Sequence, residues 1–361
     1  MSRLRLAVLP LLPFVSLALS QPSTPASASA SGHFSASGEQ VHIYNLIGRV
    51  EVVPGGGSSV QVDLTPGGRD GARLGTKTWS SGGTFFVVTY PSDHLRSPNL
   101  HWGSSTTLQV AKDGTFGDHP KRSGWLDRRV RIDGKGDGLE AWCDLRVSVP
   151  KGQKISVHLG VGDLNASNVN GDLVLDTAEG SVTVNNEQGD LLIDTGSGDI
   201  AVTGAAGNLS LDSGSGSVRA TRVSGDRLLF DTGSGDVVVN GARGTRLMAD
   251  TGSGSITLSG VSCPTVHLDT GSGDVRLGLT GDISQLDIDT GSGSVTIEAP
   301  PTLGASLHIE TGSGDIASDF PLRVTRRESD TLLATVGDGH GHIVIDTGSG
   351  DVRIRRAAPA N

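Results

Sequence analysis

The chain has 361 residues, with 29 basic against 39 acidic side chains and a formal net charge of −10. That balance excludes nucleic acid as a partner, which requires a basic surface. The 53 glycines and 4 % aromatic residues fit a turn-rich β protein. Aliphatic residues recurring at fixed positions exclude disorder.

Residues 1–20 read as a secretory signal peptide. Arg3 and Arg5 form the basic start, an apolar run extends from Leu6 to Leu19, and Ala18-Leu19-Ser20 offers a cleavage site before Gln21, with Ala30 as the alternative. The run is short and broken by Pro10 and Pro13, so it is not an anchor. No other long apolar segment follows, and the mature chain is expected to be exported without a transmembrane segment. Residues 21–33, rich in Ser, Ala and Pro, read as a flexible leader.

From residue 34 the pattern is β. Residues 41–52 have the layout of the repeat described below with the corner residues changed, and further strands are predicted at 60–64, 84–90, 106–111, 129–133 and 139–149. Residues 34–150 are therefore expected to form irregular first coils, with insertions and a cap. This region holds all four tryptophans, both tyrosines and a basic group of Lys121, Arg122, Arg128, Arg129 and Arg131. Two readings apply. The aromatic residues fill an irregular core, or Trp79, Tyr90, Trp102, Trp125, Arg128 and Arg129 form a surface for a glycan or another envelope component.

Residues 151–356 carry the repeat. Asp194-Thr195-Gly196-Ser197-Gly198-Asp199-Ile200 recurs with its first residue at Asp212, Asp231, Asp250, Asp269, Asp289, Glu310 and Asp346, with weaker copies at Asp176 and His158. From His158 to Glu310 the steps run 18, 18, 18, 19, 19, 19, 20 and 21 residues, and the last step is 36. A fixed period of this size marks a solenoid. Period-2 alternation on either side of the glycines (Leu191 and Ile193, then Ile200 and Val202) predicts two half-buried strands meeting at a corner. No 3.6-residue stripe supports a helix. The predicted fold is all-β, a single-stranded parallel β-solenoid. Counting the last step as two coils gives eleven from His158 to Asp346, a rod roughly 50 Å long at ~4.8 Å per strand.

The outward first position is acidic in nearly every coil. The second alternates: Asp163, Ser181, Asp199, Ser217, Asp236, Ser255, Asp274, Ser294, Asp315. Stacked like charges repel, and alternation doubles their separation. The unbroken first column is expected to be held by Asx-turns, each Asp accepting amide hydrogens of its own Gly-Ser-Gly turn. The competing reading is a cation ladder through Asp194, Asp231, Asp250, Asp269 and Asp289. Calcium takes about six to eight oxygens, and one Asp per coil supplies few. No metal and no cofactor is expected.

The repeat lapses over 317–341, read as an elaborated coil or hairpin before the last repeat. Asp338, His340 and His342 at its end could suggest a metal, but three ligands in a glycine-rich turn are a weak signal for one. Cys143 and Cys263 sit about six coils apart, roughly 30 Å, beyond the ~6 Å between Cα atoms that a disulfide allows, so both are expected to be buried and unpaired. Asp-Thr-Gly-Ser is also the active-site string of pepsin-like proteases, but those need two carboxylates sharing a proton. Here the string repeats outward at solenoid spacing. No nucleophile elbow or phosphate loop is present, and no catalytic residue is assigned.

The Thr-Gly-Ser-Gly corners, the entry Val149-Pro150-Lys151-Gly152, the insertion Asp319-Phe320-Pro321-Leu322 and the closing Asp346 to Val352 repeat together resemble a bacterial family of domain-of-unknown-function proteins. These are built from β-strand repeats and are often labelled adhesins. The resemblance implies a parallel β-solenoid in the cell envelope with no established catalysis. A non-catalytic surface scaffold or adhesin is the expected function. The alternatives are a polysaccharide-active β-helix enzyme and a scaffold that polymerises through the solenoid ends.

Overall fold

The computed structural model describes residues 26–29, 32–101, 103–117 and 128–357. The expected signal peptide lies outside them, but the described part of the leader is not a flexible tail: Ala26–Ser29 pairs antiparallel with Gly75–Ser80, and Gly32–Ala36 with Val60–Gly67. Among the described residues there is no α-helix, and a single 3-10 turn spans Gly71–Arg73.

One coil shows why the repeat folds as it does. In Leu191–Ser197 the residues Leu191, Ile193 and Thr195 point inward and are buried, while Leu192 and Asp194 face out. The chain turns at Gly198 and Asp199, and Ile200–Ala206 buries Ile200 and Val202 in the same way. Each strand lies parallel and in register on the next coil, Ile193 on Leu211 and Val202 on Ala220. Glycine is required at the corner by the stacking itself. A Cβ on Gly216 would run into the carbonyl of Gly198 one coil away, although its φ is not positive.

Six successive coils also have a third, short face that the two-strand reading lacks. After the second strand the backbone turns through a left-handed residue at Asn168, Asn186, Gly204, Arg222, Gly241 and Gly260. A single inward residue follows: Val169, Glu187, Ala205, Val223, Ala242 and Val261. Five are small or aliphatic. Glu187 is 1 % exposed, and neither carboxylate oxygen has a hydrogen-bond partner.

The inward Thr hydroxyl, which the sequence reading left without a role, fixes the glycine turn: Thr232 Oγ1 donates to Gly216 O of the preceding coil (2.6 Å) and accepts from Gly235 N of its own turn (3.2 Å). Thr251, Thr270 and Thr290 do the same. The alternating second column has a role beyond spacing charge. Asp199 Oδ1 accepts the amide of Ser217 in the next coil (2.8 Å), and Asp236 and Asp274 accept those of Ser255 (2.9 Å) and Ser294 (3.0 Å). Each Asp thus pins the following coil, at the position where that coil carries Ser.

At the C-terminal end the spatial order departs from the chain order. The last repeat, Gly341–Thr347, pairs on one side with Gln285–Thr290 and on the other with Ala305–Thr311. It slots between the two coils that precede it in sequence. The 36-residue step is therefore one excursion and return, not two coils. The excursion is the hairpin Leu322–Arg327 and Thr331–Val336, whose second strand pairs antiparallel with Ala305–Thr311 and covers the end of that ladder. The outermost strand carries exposed Arg323, Arg326 and Arg327. Charge on an edge strand opposes edge-to-edge pairing.

At the other end, Gln40–Ile47 and Val50–Pro54 join the two ladders in parallel register with Lys154–Val161 and Leu164–Ser167. The hairpin Gly75–Ser80 and Thr84–Thr89 caps the first ladder, and Trp142–Val149 with antiparallel Val60–Gly67 caps the second. The predicted strands at 106–111 and 129–133 form no coils. Ser105–Val110 and Arg128–Asp133 build a separate four-stranded sheet with His94–Arg96 and Leu139–Glu140. Antiparallel strands thus cover the N-terminal ends of both ladders and the C-terminal end of the first, which opposes growth by end-stacking there, whereas the second ladder ends on the short strand Ile316–Ser318. Cys143 and Cys263 are buried and unpaired, and burial pushes the Cys143 thiol up to about 12.

Candidate ligand-binding site

The in-register ladder lines up one outward column over the length of the first sheet. It runs from Lys77 and Val87 through Tyr44, His158, Asp176, Asp194, Asp212, Asp231, Asp250, Asp269, Asp289 and Asp346 to Glu310. Its character changes at His158, whose Nδ1 lies 2.7 Å from Asp176 Oδ2. Beyond that point the column is acidic. Burial, then the neighbouring carboxylates, push Asp231 and Asp250 upward. Among the described residues no three His, Cys, Asp or Glu side chains are placed to hold a metal ion. Asp194, Asp231, Asp250, Asp269 and Asp289 are one carboxylate per coil at strand spacing. Asp338 and His340 pair with each other (2.9 Å), whereas His342 Nδ1 meets Ser306 Oγ (2.7 Å), so these three do not converge.

At the N-terminal end aromatic rings stack in and beside this column, Tyr44 within it and Trp79, Phe85 and His42 in the neighbouring one. Trp79 stacks on Phe85 (centroids 5.0 Å apart) and Phe85 on His42 (4.5 Å), while Tyr44 stacks on His158 (4.5 Å). This is the core-filling role weighed above. Tyr90 belongs to it too and is no surface residue: it is 2 % exposed, and its hydroxyl donates to Asn45 Oδ1 (2.8 Å) and also meets the amide and carbonyl of Ile47. Burial moves its phenol further upward. Trp102 and Trp125 lie outside the described residues, as do Lys121 and Arg122. Of the expected aromatic surface, Tyr90 is thus withdrawn into the core and Trp79 is half-buried in the stack.

The cationic half keeps Arg128 and adds Lys77 and Lys112, without Arg129. Arg128 pairs with Asp93 (2.9 Å) and donates to Tyr90 O (3.3 Å), which fixes its guanidinium at the mouth of a cavity of about 240 Å³. Lys77 on the capping hairpin and Lys112 after the strand Ser105–Val110 line the same cavity. Its apolar walls include Leu46, Val88 and Val110, with Tyr90 alongside. Among the described residues no carboxylate lines it, and neither Lys77 nor Lys112 has an ion-pair partner. Arg129 is exposed on the opposite phase of its strand. The loop carrying Lys112 is internally fixed, Ala111 N donating to Thr115 O (2.9 Å) and Asp113 accepting from Thr115. Lys77 and Lys112 carry no local motif, so only the fold brings them to Arg128.

A second cluster lies on the separate sheet. His94 Nε2 meets Asp133 Oδ2 (2.6 Å), and Arg131 Nε donates to both oxygens of Asp133 (2.9 and 3.0 Å). Burial opposes this carboxylate's ionisation, but the His94 and Arg131 contacts win and lower it overall. Ser104 and Ser105 line the same hollow, yet the Asp is held by Arg as well as His, in the manner of a salt-bridge knot.

The family model for Toastrack DUF4097 matches residues 144–355, more than half of the chain. The chain belongs to the Toastrack DUF4097 family. The Toastrack match starts within the strand Trp142–Val149 and ends in the last strand, so it takes in the regular coils and the C-terminal hairpin. No curated protein matches this Toastrack chain. Among solved structures, a "putative cell adhesion protein" from Clostridium sporogenes is similar at 9 % identity, over 93 % of this chain and 100 % of that one, with a TM-score of 0.18. At that score nothing is carried across. The cationic cavity, built largely from residues before 144, lies outside the family match.

Proposed function

We propose that this Toastrack chain is an exported, non-catalytic scaffold of the cell envelope that binds surface material through its N-terminal end. The observation that carries the reading is the uneven distribution of structure. The coils from Leu173 onward repeat one small set of side chains, whereas the insertion between residues 90 and 140 adds a separate sheet and the cavity lined by Lys77, Lys112 and Arg128. A rigid repeat carrying one elaborated end is how a spacer presents a binding site. Export rests on the basic, apolar and small-residue order of residues 1–20.

Two measurements test it. An epitope-tagged full-length chain, fractionated and then treated with protease on intact cells, should be found outside the cytoplasm; a cytoplasmic chain would refute export. The purified chain, mixed with envelope fragments and pelleted, should co-sediment, and failure to co-sediment would refute surface binding.

A further inference from the structure

We propose that the cavity lined by Lys77, Lys112 and Arg128 is a binding site for a single anionic sugar residue, one bearing a carboxylate, sulfate or phosphate. This deepens the surface-binding reading and rests on it. Four features of the cavity lead there. Its lining is cationic: among the described residues three cations from three separate elements line it and no acidic residue does, Asp93 standing behind Arg128, in a chain whose net charge is −10. Two of those cations lack carboxylate partners among the described residues, while the third is oriented by Asp93 and by Tyr90 O. Asp93 compensates Arg128 but not the two lysines, and a ligand carrying negative charge supplies what they lack.

Size and lining set the rest. At about 240 Å³ the cavity is smaller than the ~300–1,000 Å³ of sites for drug-sized ligands, so it takes one ring and not an oligomer. Leu46, Val88 and Val110 give it an apolar wall, which suits the C–H face of a pyranose better than a fully hydrated inorganic ion. Ammonium groups are point charges with rotatable donors, so Lys77 and Lys112 accept carboxylate, sulfate or phosphate geometry alike. Arg128 already spends donors on Asp93 and Tyr90 O, which makes it the fixed side of the site and the two lysines its adaptable side.

The test is calorimetric titration of the purified intact chain with four probes: methyl glucuronide, glucose 6-sulfate, glucose 6-phosphate and neutral methyl glucoside. At least one anionic probe should bind and the glucoside should not, and the ranking among the three identifies the anion. Lys77→Met and Lys112→Met are chosen because neither lysine holds the fold through an ion pair, and unchanged circular dichroism checks this. Each should weaken the bound probe about tenfold or more, the effect of losing one charge-assisted hydrogen bond. Equal affinity for the glucoside, no binding of any anionic probe, or unchanged affinity in both variants would overturn the proposal. The variants also go into the envelope co-sedimentation. Retention of the intact chain and of both variants alike overturns the cavity while leaving surface binding standing. If the intact chain is not retained, the reading beneath the proposal fails with it.

Discussion

Glu187 occupies an inward position on the third face that is otherwise filled by Val169, Ala205 and Val223, and its register partner is Ala205. Both its oxygens are buried without a hydrogen-bond partner. The nearby Gln188 amide is already donated to Val169 O (3.0 Å). Desolvation above all, then the charge of Asp172, pushes Glu187 from the ordinary 4.5 to about 8. The folded chain therefore keeps this proton while the unfolded chain releases it. Below about pH 4.5 both states are protonated and the residue costs nothing in charge. As pH rises the unfolded state gains relative to the folded one, and the loss is complete above about pH 8. The full shift corresponds to about 5 kcal/mol, and local opening of the coil caps it lower, so we expect about 2–5 kcal/mol. Urea melts of the wild-type chain and of Glu187→Ala, followed by circular dichroism at pH 5 and pH 8.5, read this directly. The variant reproduces the neighbouring Ala205 and should be the more stable chain at pH 8.5, with a shallower pH dependence. Parallel pH profiles for the two chains would refute a buried, protonated Glu187.

Arg222 takes the left-handed corner with φ 53°, where Gly204 and Gly241 stand in adjacent coils. A side chain there is strained, so Arg222→Gly should stabilise the chain by about 1 kcal/mol in thermal or urea unfolding. Gly216→Ala should do the opposite and cost several kcal/mol, because its Cβ meets the Gly198 carbonyl of a backbone fixed on both sides. Arg323→Val with Arg326→Val and Arg327→Val should leave the fold intact but produce concentration-dependent self-association in sedimentation velocity, since the edge Leu322–Arg327 then lacks its charge. Exchanging calcium for a chelator should shift the melting temperature little, because no described cluster of ligands converges on a cation.

Much of the fold is legible in the sequence because a solenoid writes each contact as a period. The inward pairs such as Leu191/Ile193 and Ile200/Val202 fix strand direction, register and core together, and the separation of Cys143 from Cys263 follows from counting coils. What escapes has a physical reason in each case. The third face contributes one inward residue per coil, too few to make an alternation, and Glu187 breaks the aliphatic series. Thr195 and its equivalents read as merely inward because spacing does not reveal what a hydroxyl bonds. The order of the last coils is ambiguous in principle. Asp346 is in register with both Asp289 and Glu310, so a return between two existing coils leaves the same periodic signature as continued stacking. The cavity is hidden for a different reason: Lys77, Lys112 and Arg128 meet only through the capping hairpin and the separate sheet, and the chain around each reads as ordinary strand or loop.

The central claim, surface binding without catalysis, is tested most directly by incubating the purified chain with polysaccharide from the bacterial envelope and measuring, in one sample, the protein retained on the polymer and the reducing ends released. Retention that saturates, with reducing ends no higher than in a protein-free control, is the predicted result. Reducing ends that accumulate in proportion to time and protein would contradict it and make this chain an enzyme.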